Sequence, residues 1–335
     1  MQAAIYGMAG PALTADERAF FRDADAAGYI LFRRNCQDQA QLLRLTDELR
    51  DIAGRPDVPV LIDQEGGRVM RMRPPNWPAF PAADVFARLY QAAPSSAIEA
   101  ARSNARAIAL TLKACGINVN CLPLLDVRQE GADDIIGDRA LGADPMQVAA
   151  LGRAVLDGMA SAGVVGVVKH IPGHGRALVD SHKALPVVTA SAEELEIDLE
   201  PFERMRAAPM GMTSHVVYTA WDAERPASLS PTVIGEIIRG RIGFEGWLMS
   251  DDLGMEALSG DAGERAAGVV AAGCDVALHC SGKMEEMVLV AAAVPAMSPD
   301  GEARLARAMA TILVEDEGAD LAEALAKRDA LLALV

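Results

Sequence analysis

Val164-Val165-Gly166-Val167-Val168-Lys169-His170-Ile171-Pro172-Gly173-His174-Gly175 is the stretch from which the fold can be read. Its first five residues are apolar and mostly β-branched, as expected of a short strand buried on both faces. Lys169 and His170 then break the run. Pro172 removes a backbone donor and fixes φ, and Gly173 and Gly175 permit backbone angles closed to other residues. A strand ending at Val168 and a shaped loop beginning at Lys169 are therefore expected. Three of the five histidines, His170, His174 and His182, fall within thirteen residues here. Ionisable groups on a loop carried by a rigid strand are where binding and catalytic residues concentrate.

The same pattern recurs outward in both directions. Short apolar runs occur at Ala3 to Tyr6, Tyr29 to Phe32, Val58 to Ile62, Ile117 to Leu125, Val164 to Val168, Met210 to Thr213, Trp247 to Met249 and Val276 to Leu278. Between them lie amphipathic, alanine-rich segments, among them 16–27, 39–53, 96–114, 145–162, 192–207 and 231–241. Thr14 before Asp16 and Glu17, Ser191 before Glu193 and Glu194, and Ser230-Pro231 are helix start signals. Strand and helix alternate throughout, which implies parallel strands with helical crossovers. Eight such units predict a single (β/α)8 TIM barrel over 1–335, with a helical segment around 300–335 after the last strand. The acidic stretch from Glu315 to Glu323 reads as a solvated helix end or linker.

In such a barrel the active site is built at the carboxyl ends of the strands. Those ends read Arg33-Arg34-Asn35, Asp63-Gln64-Glu65, Asp126, Lys169-His170, Ser214-His215, Asp251-Asp252 and His279-Cys280-Ser281. Nearly all are ionisable or polar. Neither a G-x-G-x-x-G fingerprint nor a Walker A loop is present, so a nucleotide site is not expected. The formal charge, 31 − 47 = −16, opposes binding to nucleic acid or anionic lipid and points to a small-molecule partner. No leader-like segment and no apolar run of eighteen residues is found, so a cytoplasmic protein without membrane spans is expected. Five cysteines without C-x-x-C spacing fit reduced core thiols better than disulfides or zinc.

Several carboxylates, a lysine, arginines and a histidine loop at a barrel mouth suit a polyhydroxylated ligand, whose hydroxyls need charged hydrogen-bonding partners. Asp63 ends an apolar strand; it can face such a ligand or form a salt bridge to Arg68 or Arg71. Of the neighbours Asp251 and Asp252, alternation along a strand lets only one face the site. His170 and His174 have the four-residue spacing of a helical metal pair. With Pro172 and Gly173 between them no helix is expected, and no metal is assigned.

Taken together, Leu61 to Arg71, Lys169 to Gly175 with Asp180-Ser181-His182, and Ser250-Asp251-Asp252-Leu253 resemble the β-N-acetylhexosaminidases of glycoside hydrolase family 3. Supporting runs are Gly28 to Asn35, Pro123 to Val127, Ala227 to Pro231 and Gly243 to Gly246. The resemblance covers most of the barrel and is to the single-domain bacterial enzymes of cell-wall recycling. It implies that Asp251 is the nucleophile and His182 the acid/base, oriented by Asp180. It assigns sugar contacts to Asp63, Arg71, Arg139, Lys169 and His170, and a shaping role to His174 and His215. Arg139 could instead pair with Asp138 or Asp144, and Trp77 and Phe80 either wall the pocket or pack its loop. In an extended loop, residues two apart share a side, so Asp180 can reach His182 and favour its charged form. Arg176, and Gly254 where relatives often have serine, depart from the family pattern.

The implied activity is that of a retaining exo-β-N-acetylglucosaminidase acting on cytosolic muropeptides that contain 1,6-anhydro-N-acetylmuramic acid, with no cofactor. Phosphorolysis by phosphate in place of water, a catalytically silent sugar-binding barrel and a metal-dependent hydrolase are the alternatives.

Overall fold

The computed structural model describes residues 1–181, 184–312 and 320–334. Eight strands, β1 (Gln2–Gly7), β2 (Ala26–Leu31), β3 (Val60–Ile62), β4 (Val119–Asn120), β5 (Val165–Ile171), β6 (Met210–Thr213), β7 (Trp247–Asp252) and β8 (Val276–His279), form one closed sheet. Every neighbouring pair is parallel, and β1 joins β8 through Ala4, Ile5 and Tyr6 opposite Ala277, Leu278 and His279. The fold is the (β/α)8 barrel that the alternation of strands and helices predicts.

Helices α1 (Ala15–Ala24), α2 (Gln39–Ala53), α3 (Ala83–Ala92), α4 (Pro94–Lys113), α5 (Pro145–Ala160), α6 (Ala192–Arg204), α7 (Ala262–Ala272), α8 (Met284–Ala293), α9 (Pro299–Ala310) and α10 (Leu321–Leu332) cover the strands. The start signals act as read. Thr14 and Ser191 each form a capping box, with Glu17 and Glu194, satisfying two of the backbone donors a helix start leaves unpaired. Between β6 and β7 lies a π-helix, Val233–Arg241, whose first amide is taken by Ser230 Oγ at 3.1 Å. Helix α10 packs against α4, where buried Arg328 donates to Asn104 at 3.2 Å. Of the acidic stretch from Glu315 to Glu323, expected to be a helix end or linker, 315–319 lie outside the described residues, and Asp320 caps α10.

Several strand boundaries differ from the reading: β2 begins at Ala26, within the segment expected to be helical, β7 runs past Met249 to Asp252, and β5 and β4 differ for reasons that can be traced. Strand β5 does not stop at Val168 but runs through Lys169 and His170 to Ile171, one residue before Pro172. The Lys169 amide donates to the Pro123 carbonyl, and the Leu125 amide donates to the Lys169 carbonyl. Polarity at the mouth of a barrel marks the interior that a strand end faces, not the end of pairing; the proline is what stops the strand. The run Ile117 to Leu125, conversely, pairs regularly only at Val119–Asn120. Pro123 has no amide to offer the ladder, and Leu124 regains a single bridge to Lys169.

Candidate active site

At the carboxyl ends of the strands lies a cavity of about 220 Å³. Ile30, Met212 and Leu278 give it an apolar floor, and its walls include Asp63, Glu65, Arg71, Arg139, Lys169, His170, His174, Ser181, Asp251 and Asp252. The five side chains expected to hold a sugar therefore meet Asp251 in one place, although they come from the ends of β3 and β5 and from the loops that follow β3 and β4.

They are tied together by charge. Lys169 Nζ lies 2.9 Å from Asp63 and 2.7 Å from Glu65. Arg71 reaches the other oxygen of Asp63 at 3.0 Å. Arg139 grips Glu65 with two bonds of 2.8 Å, so its partner is neither Asp138 nor Asp144. Asp138 instead takes Arg68, whose guanidinium also holds the Asp134 and Ile135 carbonyls and so fixes the loop that carries Arg139. Burial pushes the Asp63 carboxyl up, but Lys169 and Arg71 more than reverse this and hold it well below the usual carboxylate range. Burial acts likewise on Glu65, and Arg139 and Lys169 bring it down to about 2. All five groups of this network are charged at neutral pH.

The histidines are set by different partners. Asp126, fully buried, accepts from the His170 amide, from the His174 amide at 2.7 Å and from His170 Nδ1 at 2.7 Å. Nδ1 therefore carries a proton, leaving Nε2 for the cavity that the ring lines. His174 Nε2 meets Ser181 Oγ at 3.2 Å; burial, with His170 alongside, lowers its pKa to about 4, so the ring is neutral. His215 lies outside the cavity. Its Nε2 donates to the Asp252 carbonyl at 3.0 Å, so Nδ1 accepts from Ser228 at 2.7 Å. Burial lowers the pKa of this ring too.

Asp251 and Asp252 both line the cavity, contrary to the expectation that only one would. The alternation still separates their roles, because the Gly254 and Cys280 amides tie down Asp252 Oδ1 at 2.9 and 3.2 Å. The Asp251 carboxylate takes the Asp252 amide at 2.8 Å. Burial raises its pKa; the His170 and His215 rings, the Asp252 amide and Lys169 outweigh that and leave it below the ordinary value. An ionised carboxylate thus sits at the end of β7 inside the cavity.

Ser181 is buried in the cavity wall, whereas Asp180, half-buried beside it, is not part of that wall. The Asp180 carbonyl accepts from the Ala184 amide at 3.1 Å. His182 lies outside the described residues. Trp77 and Phe80 are buried away from the cavity and pack the loop. The sequence reading named Glu65 and Asp126 only as strand-end residues. Glu65 stands two residues from Asp63, and that spacing is a signal that both share a face. No signal in the chain pairs Asp126 with two histidines more than forty positions on. Among the described residues no three His, Cys, Asp or Glu side chains converge as a metal-ligand set.

An ionised carboxylate at the end of β7, flanked by a network of fixed charges in a small pocket at the mouth of a (β/α)8 barrel, has the place and the candidate nucleophile of a glycoside hydrolase site. Residues 4–313 match the glycosyl hydrolase family 3 N-terminal domain. The chain is 38% identical to a β-hexosaminidase of Alkalilimnicola ehrlichii over 90% of its own length and 87% of that protein. It is likewise 38% identical to one of Bordetella avium, over 82% and 79%. NagZ from Neisseria gonorrhoeae, solved in complex with N-trifluoroacetyl-D-glucosamine, superposes with a TM-score of 0.86 at 32% identity, covering 99% of this chain and 98% of that one. A family 3 β-N-acetylglucosaminidase of Paenibacillus sp. superposes equally well at 31% identity, with 98% of this chain covering 66% of that one. The chain belongs to glycosyl hydrolase family 3.

Proposed function

We propose that this glycoside hydrolase is a retaining exo-β-N-acetylglucosaminidase that removes terminal GlcNAc from muropeptides carrying 1,6-anhydro-N-acetylmuramic acid, in the cytosol, as part of peptidoglycan recycling. The observation that carries the reading is the ionised Asp251 inside an enclosed cavity whose wall is the Asp63–Lys169–Glu65–Arg139 charge network. Drug-sized pockets run to roughly 300–1,000 Å³; about 220 Å³ suits one sugar ring, and so action at a chain end. Similarity to β-hexosaminidases and to a NagZ bound to an N-acylglucosamine supports the choice of sugar. No helix of the described residues is long and apolar enough to cross a membrane, which is compatible with a cytosolic substrate.

In this reading Asp63, Arg71, Arg139, Lys169 and His170 hold the hydroxyls of the terminal sugar. Asp251 attacks the anomeric carbon while the His182 imidazolium, oriented by Asp180, gives its proton to the departing glycosidic oxygen. The neutral His182 then takes a proton from water as that water displaces Asp251. Two inversions restore the β configuration. His182 can serve where most such enzymes use a carboxylic acid because its unperturbed pKa lies near neutrality.

The test is the intermediate and the product. A slow fluorinated substrate is expected to leave its sugar on Asp251, Asp251→Ala to abolish turnover with the fold intact, and NMR to show the β anomer first. An adduct on Asp252, or the α anomer first, overturns the proposal. A metal-dependent reading is also open to test, because the Neisseria gonorrhoeae NagZ has been solved with a zinc ion. Activity is expected to survive a chelator unchanged.

A further inference from the structure

The loop after β5 is held at its root and at its tip by the site itself. At the root, Asp126 takes the His170 and His174 amides, and Tyr218 Oη donates to the Gly173 carbonyl at 2.7 Å. At the tip, Ser181 is buried against His174. Between them, Leu178 and Val179 are exposed.

One side chain joins the middle of this loop to the helical layer. Arg176 Nε donates to Asp198 Oδ2 at 2.6 Å, and its Nη2 donates to the Glu194 carbonyl at 2.7 Å, both on α6. Asp198 is buried, and its other oxygen has no hydrogen-bond partner. Gly173, at φ +134°, lies directly on it: a Cβ there would stand 3.0 Å from Asp198 Cβ. Burial raises the Asp198 pKa to about 6 against the opposing pull of Arg176. A buried carboxylate with one partner constrains that partner strongly, because separating them leaves the charge uncompensated. Arg176 is thus an outer pivot of the loop, and the exposed span to Ser181 begins two residues beyond it.

We propose that Arg176 and Asp198 are positioning residues for the general acid: their ion pair fixes the pivot of the loop that brings Ser181 into the cavity wall and on which the proposed acid/base follows in sequence. The pair touches no substrate and acts through the loop alone. The inference rests on the reading of His182 as the acid/base.

General acid catalysis contributes roughly 10²- to 10⁴-fold, and a displaced pivot forfeits part of it. Arg176→Ala is expected to slow cleavage of a disaccharide with a sugar leaving group about tenfold in kcat, with KM changed less than about twofold. A nitrophenyl substrate, whose leaving group needs no proton, is expected to be nearly unaffected. Arg176→Lys is expected to recover part of the loss. His182→Ala serves as the reference, slowing the disaccharide far more than the nitrophenyl substrate. Adding Arg176→Ala to His182→Ala is expected to cost nothing further, since residues acting as one unit are not additive. Equal losses on both substrates, parent-like kinetics, or a full additional loss in the double variant would overturn the role of the pair. A His182→Ala enzyme that does not distinguish the two substrates would instead overturn the acid/base reading beneath it. Arg176 sits partly exposed on a loop, so its variant is expected to fold; a melting curve matching the parent checks this.

Discussion

Glu65 and Asp126 show how residues that need not touch a sugar decide what those touching it can do. Glu65 grips Arg139 with both arms of the fork and also binds Lys169. Glu65→Gln keeps the shape but removes the charge on which both cations are aligned. Hydrogen bonds to charged groups contribute about 1.5–3 kcal/mol, so kcat/KM is expected to fall roughly 10- to 100-fold, mostly through KM. Steady-state kinetics on an aryl GlcNAc substrate checks this. A variant that melts earlier yet keeps its KM would reduce Glu65 to scaffold. Asp251 needs no such neighbour to be recognised in the sequence, since it ends an apolar strand; its ionised state, however, depends on rings and amides brought in by β5, β6 and its own strand.

At the scale of elements, the segment 227–231 links β6 to β7 across the back of the site. Ser228 gives its proton to His215 at the end of β6, and His215 in turn holds the Asp252 carbonyl at the end of β7. Ser230 meanwhile caps the π-helix and donates to Asp222 at 2.7 Å. The serines of Ala227-Ser228-Leu229-Ser230 therefore act in two directions from one short turn. Ser228→Ala leaves the buried Nδ1 of His215 without a donor, a loss of about 1–3 kcal/mol. Reduced stability in urea together with a lower kcat is expected, and Ser228→Thr is expected to restore both. Lower stability with unchanged kcat would show that the chain of bonds stops short of Asp251. The capping boxes of α1 and α6, by contrast, are local and were readable from four residues each.

For the whole molecule, the buried site makes stability fall with acidification in two stages. His174 is neutral when folded, with a pKa of about 4, but near 6.5 when unfolded. Between those values the unfolded chain binds the extra proton, so stability declines as pH falls from about 6.5 to 4. Glu65 and Asp126 lie at about 2 when folded. Their contribution is complete above the unfolded carboxylate range near 4 and is lost as pH falls toward 2. Urea unfolding across pH 3–7 is expected to show both declines, the upper one shared with buried His215 and opposed by Asp198, whose pKa burial raises to about 6, and His174→Asn is expected to reduce the upper slope while leaving the lower one. An unchanged slope between pH 4 and 6.5 in that variant would contradict the buried neutral ring.

The sequence by itself determined the barrel, because periodicity, caps and turn residues are local and each of the eight strands carries its own apolar run. It also marked the strand ends that meet in the cavity, since polarity erupting after an apolar run needs no partner to be seen. Three things were decided only by the tertiary structure: that β5 continues through His170, that Arg139 pairs with Glu65 and not Asp138, and that Asp126 organises two histidines. The first rests on backbone bonds to Pro123 and Leu125, and the other two on partners 44 to 74 positions apart in the chain. Closing the barrel brings them together out of water, where an unpaired charge is costly. The pairing of buried charges follows from that enclosure and from nothing local in the sequence.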